Sequence, residues 1–99
     1  MALKTKKFDI QDHLKTPADR AAYLAAAFEE GDAAFIKLAL SDIARAVGMG
    51  EVAERAGITR EGLYKALGKG GDPKLSTLLG VMKALDVHLT AAPQDEAAA

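Results

Sequence analysis

Residues 59–65 have the sequence TREGLYK, in which hydroxyl, guanidinium, carboxylate, phenol and ammonium groups follow one another closely. If this stretch is a helix, Arg60, Glu61, Tyr64 and Lys65 lie on its outward side, near its N-terminal half. A guanidinium can form a bidentate contact with guanine, and a carboxylate can accept a hydrogen bond from cytosine. A recognition helix inserts this half into the major groove of DNA. These residue types at this spacing therefore favour nucleic-acid contact.

The residues around this stretch predict a helix-turn-helix over residues 49–67. Two short helices joined at a steep angle need a residue that accepts a positive φ, and Gly57 does so without strain. They also need a small side chain where they approach most closely, which Ala53 supplies. The same pattern fits an αα-corner that packs into a core and binds nothing. The apolar residues expected to hold the two helices together are Val52, Ala56, Ile58, Leu63, Ala66 and Leu67.

Helix start and stop signals predict an all-α domain of five helices. Thr16 and Pro17 indicate the start of the first helix, and Gly31 indicates its end. Asp32 can cap the second helix, which Gly48 ends. The remaining three are expected over about 49–56, from the Thr59 cap to Leu67, and from Asp72-Pro73 to Leu85.

Apolar residues that recur at helical spacing predict which faces of these helices are buried. The first stripe extends along the first helix, the second along the second, and the third along the fifth. Their members are Ala21, Leu24, Ala25 and Phe28; Ile36, Ala39, Leu40, Ile43 and Val47; and Leu75, Leu78, Leu79, Met82 and Leu85.

The two ends of the chain are less regular than its middle. Residues 1–15 are expected to be an N-terminal arm or short element, residues 16–92 the helix-turn-helix domain, and residues 93–99 a flexible tail. The stretch FDIQDHLK fits either a short helix capped by Asp9 or a strand. The stretch VHLT alternates like a short strand, so the pattern allows short terminal strands beside the helices.

Composition limits the function classes. The chain has 99 residues, which allows one domain with one core, and no cysteine, which excludes disulfides and thiolate metal sites. The N-terminus lacks the apolar stretch of a signal peptide and no run reaches membrane-spanning length, so we expect a cytoplasmic protein without a membrane partner. The net charge is −1, but residues 44–85 carry seven basic and four acidic side chains. This local surplus permits DNA binding without demanding it.

No combination of residues predicts an enzyme, a metal site or a cofactor. His13 and His88 lie far apart in the sequence, and neither has other ligands clustered near it. Glu29 and Glu30 are adjacent, so on a helix they point about 100° apart, as is typical of a solvated helix end. Ser41 has neither a partner histidine nor a glycine elbow. The stretch GKGG lacks the strand and the spacing of a phosphate-binding loop.

Five stretches follow one another between residues 8 and 89, and their order is more informative than any one of them. They are YLAAAFEEGD, ALSDIARAVGM, VAERAGITREGLYKAL, GDPKLSTLL and VMKALDVHL. With them the chain resembles the addiction-module antidotes of the HigA-like, Xre-type helix-turn-helix group. The resemblance implies a fold like that of the lambda repressor. It also implies that the protein neutralises a RelE-like ribonuclease toxin and represses the operon that the two share. Operator DNA and the toxin are thus the implied partners.

The resemblance further implies roles for single residues. Arg60, Glu61 and Lys65 occupy positions that contact base edges. Thr59 occupies a position where a hydroxyl or a backbone amide meets a phosphate.

Four neighbouring residues bear on the strength of this DNA contact. Lys69 and Lys74 flank the GKGGDP loop and are better suited to neutralising phosphates than to reading bases. Gly62 lies inside the fourth helix, where glycine costs about 1 kcal/mol relative to alanine. Met49 takes a position where related domains often have a polar phosphate-binding residue. Both departures raise the question of weaker DNA contact.

The N-terminal region provides two further candidate surfaces. Its basic run can act as an arm in the minor groove or can simply be a mobile end. Its apolar residues, with one tyrosine, can form a toxin-binding surface or close the core. The basic run is Lys4, Lys6 and Lys7, and the apolar set is Phe8, Ile10, Leu14 and Tyr23.

A single recognition helix reads few base pairs, so we expect a homodimer on two half-sites about 34 Å apart. The segment Leu75–Leu89 has more apolar residues than one core needs, and we expect it to supply the dimer contact. Two other functions fit the sequence. One is a stand-alone regulator like a phage repressor, without a toxin. The other is a protein-interaction module whose helix-turn-helix has lost DNA binding.

Overall fold

The computed structural model describes residues 10–94, with only the backbone at Gln11, and this part of the chain is all-α. A short 3₁₀-helix, Ile10–His13, comes first. The predicted fold class and the five predicted helices are confirmed. The helices are α1 (Pro17–Glu30), α2 (Ala33–Val47), α3 (Met49–Ala56), α4 (Arg60–Leu67) and α5 (Leu75–Ala84).

The predicted caps of the first two helices are confirmed. Thr16 Oγ1 accepts a hydrogen bond of 3.1 Å from the backbone N–H of Asp19 and so satisfies a free donor at the start of α1. Asp32 Oδ1 does the same at the start of α2, where the N–H of Ala34 donates over 3.1 Å. Gly31 ends α1 in the left-handed region. Local sequence signals therefore fix both boundaries between α1 and α2.

The structure differs from two further predictions, the start of the fifth helix and the strand at VHLT, and it decides between the two alternatives for FDIQDHLK. The fifth helix begins at Leu75 rather than at Asp72-Pro73, and its first turn has no side-chain cap. Asp72 and Pro73 stay in the loop, which lies against α4. The stretch VHLT forms no strand, because no other extended segment within residues 10–94 pairs with it. The stretch FDIQDHLK contains the 3₁₀-helix, and Asp9 lies outside the described residues.

The core is built where α2, α3, α4 and α5 meet. The helices pack mainly as α3 on α5, α1 on α2 and α4 on both α2 and α3, and the 3₁₀-helix packs on α2. No helix in the described part of the chain is long and apolar enough to cross a membrane. The largest completely buried side chains are Leu14, Leu40, Ile43, Val52, Leu63, Val81 and Leu85.

The predicted stripe on α2 is buried at Ala39, Leu40 and Ile43 and half-buried at its two ends, whereas those on α1 and α5 are less fully covered. On α1, Leu24 is buried while Ala21 and Ala25 stay exposed. On α5, Leu75 is 63% exposed and Leu79 is 44% exposed. The sequence pattern marks these residues as apolar, but the other elements within residues 10–94 do not cover them.

Arg20 joins both ends of the described chain. Its guanidinium donates to the carbonyl oxygens of Leu14 (3.1 Å), Lys15 (3.0 Å) and Leu85 (3.2 Å). It also lies 3.6 Å from a carboxylate oxygen of Asp86. A single side chain on α1 thus fixes the segment before that helix and the end of α5.

Candidate nucleic-acid interface

The turn between α3 and α4 is set by Gly57. This residue has φ 77° and ψ 26°, and its N–H donates to the carbonyl of Glu54 over 3.1 Å. The N–H of Ile58 donates to the carbonyl of Ala53 over 3.0 Å. These two bonds and the left-handed residue form a Schellman motif, which ends α3 and redirects the chain into α4.

The residues expected to hold α3 and α4 together are buried or half-buried in the core. Val52, Ala53 and Leu63 are buried, and so is Leu67 at the end of α4. Ile58 is half-buried and packs against the same core. Complete burial of a side chain such as Leu63 stabilises the fold by about 1.5–3 kcal/mol. The angle at which α4 is presented is therefore rigidly defined.

Thr59 caps α4. Its Oγ1 accepts a hydrogen bond of 2.9 Å from the N–H of Gly62, and its hydroxyl proton remains able to donate to a phosphate. A Cβ built on Gly62 would lie 2.9 Å from this same oxygen. Gly62 thus leaves room for the cap, which offsets part of the helix propensity that glycine loses.

Arg60 and Tyr64 form a stacked pair on the outer surface of α4. The guanidinium carbon lies 5.4 Å from the centre of the tyrosine ring, and one guanidinium nitrogen lies 3.4 Å from the phenol oxygen. An exposed cation–π contact of this kind contributes about 0.5–1 kcal/mol. Both side chains remain exposed, as do those of Glu61 and Lys65. Tyr64 therefore orients the Arg60 side chain, in addition to any contact that Tyr64 itself makes with DNA.

Lys65 and Lys69 line one shallow depression between α4 and the loop of residues 68–74. The loop approaches α4 so closely that a Cβ on Gly71 would lie 2.2 Å from the carbonyl oxygen of Lys65. Lys74, the residue before α5, is exposed and does not line this depression. The structure thus brings Lys69, a predicted phosphate contact, together with Lys65 and leaves Lys74 outside this depression.

Lys37 on α2 holds this loop in place, although it is not among the residues that the sequence pattern indicates. Its ammonium group donates to the carbonyl of Gly68 over 3.2 Å and to the carbonyl of Gly71. A cation at the end of α4 also interacts favourably with the helix dipole. The contact joins residues more than thirty positions apart. No local pattern in the sequence indicates such a pair.

Two residues in this region have structural roles instead of facing a partner. Met49 is buried and belongs to the core, so its side chain does not lie at the surface where a phosphate would bind. Arg55 forms an ion pair of 2.9 Å with Glu51 and donates to the carbonyl of Ala84 over 3.2 Å. Part of the basic surplus in the middle of the sequence is therefore paired within the chain, although the Arg55 side chain stays half exposed.

The apolar N-terminal residues close the core within the described chain. Leu14 is buried, and Ile10 and Tyr23 pack against the core. The Tyr23 hydroxyl donates to a carboxylate oxygen of Asp42 over 2.7 Å. This hydrogen bond, with burial and the nearby negative charge, raises the pKa of Tyr23 to about 12. Phe8 and the basic run of Lys4, Lys6 and Lys7 lie outside the described residues.

The residues considered for catalysis or metal binding do not converge. Ser41 is buried inside α2, and Glu29 and Glu30 are exposed at the end of α1. Within residues 10–94, no group of three or more histidine or carboxylate side chains is placed to hold a metal ion.

Comparison with known proteins identifies the family of the chain. Residues 4–93 match the profile of a family described as probable addiction module antidote protein. The chain is also similar to an uncharacterised protein of Haemophilus influenzae, with 44% identity over 88 residues, 89% of this chain and 91% of the relative. No solved structure matches the chain. On this evidence, the chain belongs to the family of probable addiction module antidote proteins.

Proposed function

We propose that this antidote binds operator DNA through α4 and represses the operon that it shares with its toxin. The observation that carries the proposal is the outer surface of α4, where Arg60 is stacked on Tyr64 and Lys65 lies beside Lys69. Guanidinium and carboxylate groups on this surface suit base edges in the major groove. The two lysines suit the neighbouring phosphates.

The second half of the proposal concerns the toxin. Membership of the antidote family implies a cognate toxin, and the resemblance to HigA-like antidotes favours a RelE-like ribonuclease. The antidote inhibits it sterically, by covering its active cleft or blocking its access to the ribosome. The protein itself acts without catalysis.

The exposed apolar surface of α5 supports a homodimer. Leu75 and Leu79 lie one turn apart on the same side of this helix, and both are largely exposed. Burying them against a second copy would remove apolar area from water and give two copies of α4 for two half-sites. Sedimentation of a Leu75→Glu, Leu79→Glu variant should show a monomer at concentrations where the wild type is a dimer. Leu38→Glu on α2, also exposed, is the control.

The DNA half is tested by fluorescence anisotropy with a duplex from upstream of this gene. The variant Arg60→Ala, Lys65→Ala should bind at least tenfold more weakly, since one base-reading arginine alone accounts for about 1–3 kcal/mol. Lys69→Ala should lower affinity for all sequences and reduce the slope of log K against log salt by about 1. Lys15→Ala, Arg45→Ala removes the same charge outside α4 and should leave the specificity for the operator unchanged.

Two results would contradict the proposal. Wild-type affinity that is flat between low and physiological salt would exclude a phosphate interface. A specificity ratio unchanged in the Arg60→Ala, Lys65→Ala variant would exclude α4 as the reading element. The antidote half is tested separately by growth: expression of the small reading frame adjacent to this gene should arrest growth, and co-expression of this chain should relieve the arrest.

A further inference from the structure

An open groove extends along α1. It has a volume of about 930 Å³, and its floor includes Ala21, Leu24, Ala25 and Phe28, the stripe that helical spacing predicts to be buried. The opposite wall is the chain after α5, residues 86–94. The groove therefore presents an apolar helix face that residues 10–94 leave uncovered.

The beginning of the far wall, at residues 85–87, is anchored to α1 and to the core. Asp86 has φ 63°, which turns the chain at the end of α5 and sends it alongside α1. Arg20 on α1 lies 3.6 Å from the Asp86 carboxylate and donates to the carbonyl of Leu85. Val87 packs against the core just beyond the turn. The direction in which the wall leaves α5 is thus set by these contacts.

The charges at the groove have one sign. Glu29, Glu30 and Asp86 line it, and no lysine or arginine of the described chain does so. Asp86 is paired with Arg20, whereas the two glutamates form no ion pair within residues 10–94. An apolar floor with unpaired carboxylates at one end is complementary to a segment that carries both apolar and basic side chains.

We propose that this groove is the docking site for a basic, partly apolar segment of the toxin. The inference rests on the proposed function, which supplies a ribonuclease as the partner. An enzyme that acts on RNA needs a basic cleft, since neutralising phosphates dominates affinity for nucleic acids. A segment at the edge of such a cleft has the charge that Glu29 and Glu30 complement, and docking there would cover the cleft.

Charge distinguishes this occupant from the C-terminal segment of the chain but not from the N-terminal segment. The C-terminal residues 95–99 contain Asp95 and Glu96 and no base, so the acidic end of the groove repels them. The N-terminal residues 1–9 contain three lysines and Phe8, so they can compete for the same groove. Removal of residues 2–7 tests whether they occupy the groove.

The variant Ala25→Arg tests the groove, because it places a long cationic side chain on the floor. Ala25 is exposed in the middle of α1, so the change leaves the core untouched. Ala22→Arg is the matched control, since Ala22 is exposed on the same helix and does not line the groove. The probe is the purified product of the reading frame adjacent to this gene. We expect Ala25→Arg to weaken binding at least tenfold and to lose growth rescue, and Ala22→Arg to match the wild type.

A second variant, Glu29→Arg, Glu30→Arg, tests the charge of the partner. Binding should weaken and lose most of its dependence on salt, whereas Glu54→Arg on the exposed face of α3 should change neither. If Ala25→Arg binds like the wild type while the wild type still rescues growth, the groove proposal is wrong and the antidote function stands. If the wild type fails to rescue, both proposals fall.

The N-terminal occupant gives a different pattern. Removal of residues 2–7 would then strengthen binding of the toxin, because a competitor for the groove is lost. If instead that deletion abolishes binding while Ala25→Arg leaves it intact, the toxin docks on the N-terminal segment, and the groove proposal is overturned.

Discussion

The ends of α3 and α5 have the same backbone geometry but are stabilised in different ways. Each helix ends at a residue in the left-handed region, Gly57 with φ 77° and Asp86 with φ 63°. Each shows the same two hydrogen bonds, which for α5 run from the N–H of Asp86 to Lys83 and from the N–H of Val87 to Met82, both 3.0 Å. One residue is the glycine that this conformation favours, and the other is an aspartate.

The difference is between a local and a non-local solution. A left-handed conformation costs an L-residue roughly 1–2 kcal/mol, and glycine avoids this cost. At Asp86 the cost is offset by Arg20, which contacts its carboxylate and the preceding carbonyl of Leu85. Arg55 adds a hydrogen bond to the carbonyl of Ala84. The helix-turn-helix is thus specified within a few residues, whereas the wall of the acidic groove depends on side chains far away in the sequence.

The largest effect is expected from removing the non-local support. Arg20→Ala loses three hydrogen bonds to carbonyl oxygens and one ion pair in a partly buried setting, and should lower the free energy of unfolding by about 2–4 kcal/mol. Arg20→Lys should recover little of this, because an ammonium group cannot reproduce the fork of a guanidinium. Urea unfolding measures both, and amide exchange should quicken first around Leu85 and Val87.

Arg45→Ala provides the control for Arg20. Arg45 is exposed on α2, so its removal should change stability by no more than about 0.5 kcal/mol. If Arg20→Ala costs as little as this control, the end of α5 is stable without help from α1. The conclusion that the end of α5 depends on distant side chains, unlike the end of α3, would then be wrong.

This contrast explains which parts of the fold could be predicted from the sequence. Thr16, Asp32 and Gly57 are local signals, because each acts on backbone groups within a few residues, and all three lie at the boundaries that they predict. Asp86 gives no such signal, since aspartate is compatible with many conformations. The alternation in VHLT was also misleading, because a strand requires a second strand to pair with.

The candidate sites divide in the same way. The residues of α4 could be found from helical spacing and side-chain chemistry, since they are neighbours in the sequence. Lys37 could not, because its contacts with the loop of residues 68–74 arise only when α2 packs against α4. The groove could not be predicted either. Helical spacing marks Ala21 and Ala25 as apolar, but only the three-dimensional arrangement shows that no other element of the described residues covers them.

A smaller effect is expected at the local helix end. Gly57→Ala introduces no steric contact, since nothing lies within 4 Å of the added Cβ, so its cost is conformational, about 1–2 kcal/mol. Gly50→Ala is the matched control in the same helix, where φ is ordinary and the space is equally open. It should stabilise the protein by up to about 1 kcal/mol. Urea unfolding should therefore show opposite signs for the same chemical change, and equal signs would argue against strain at Gly57.

The smallest effect is expected from making the two helix ends alike. Asp86→Gly removes the left-handed strain, worth roughly 1 kcal/mol, and also removes a partly exposed ion pair worth about 0–1 kcal/mol. The two terms oppose each other, so stability should change by less than about 0.5 kcal/mol. Asp86→Ala loses the ion pair and keeps the strain, and should be the less stable of the two. Urea unfolding of both variants, each with and without Arg20→Lys, isolates the ion pair. If Asp86→Gly is as unstable as Asp86→Ala, the carboxylate contact with Arg20, and not the backbone conformation, determines how α5 ends.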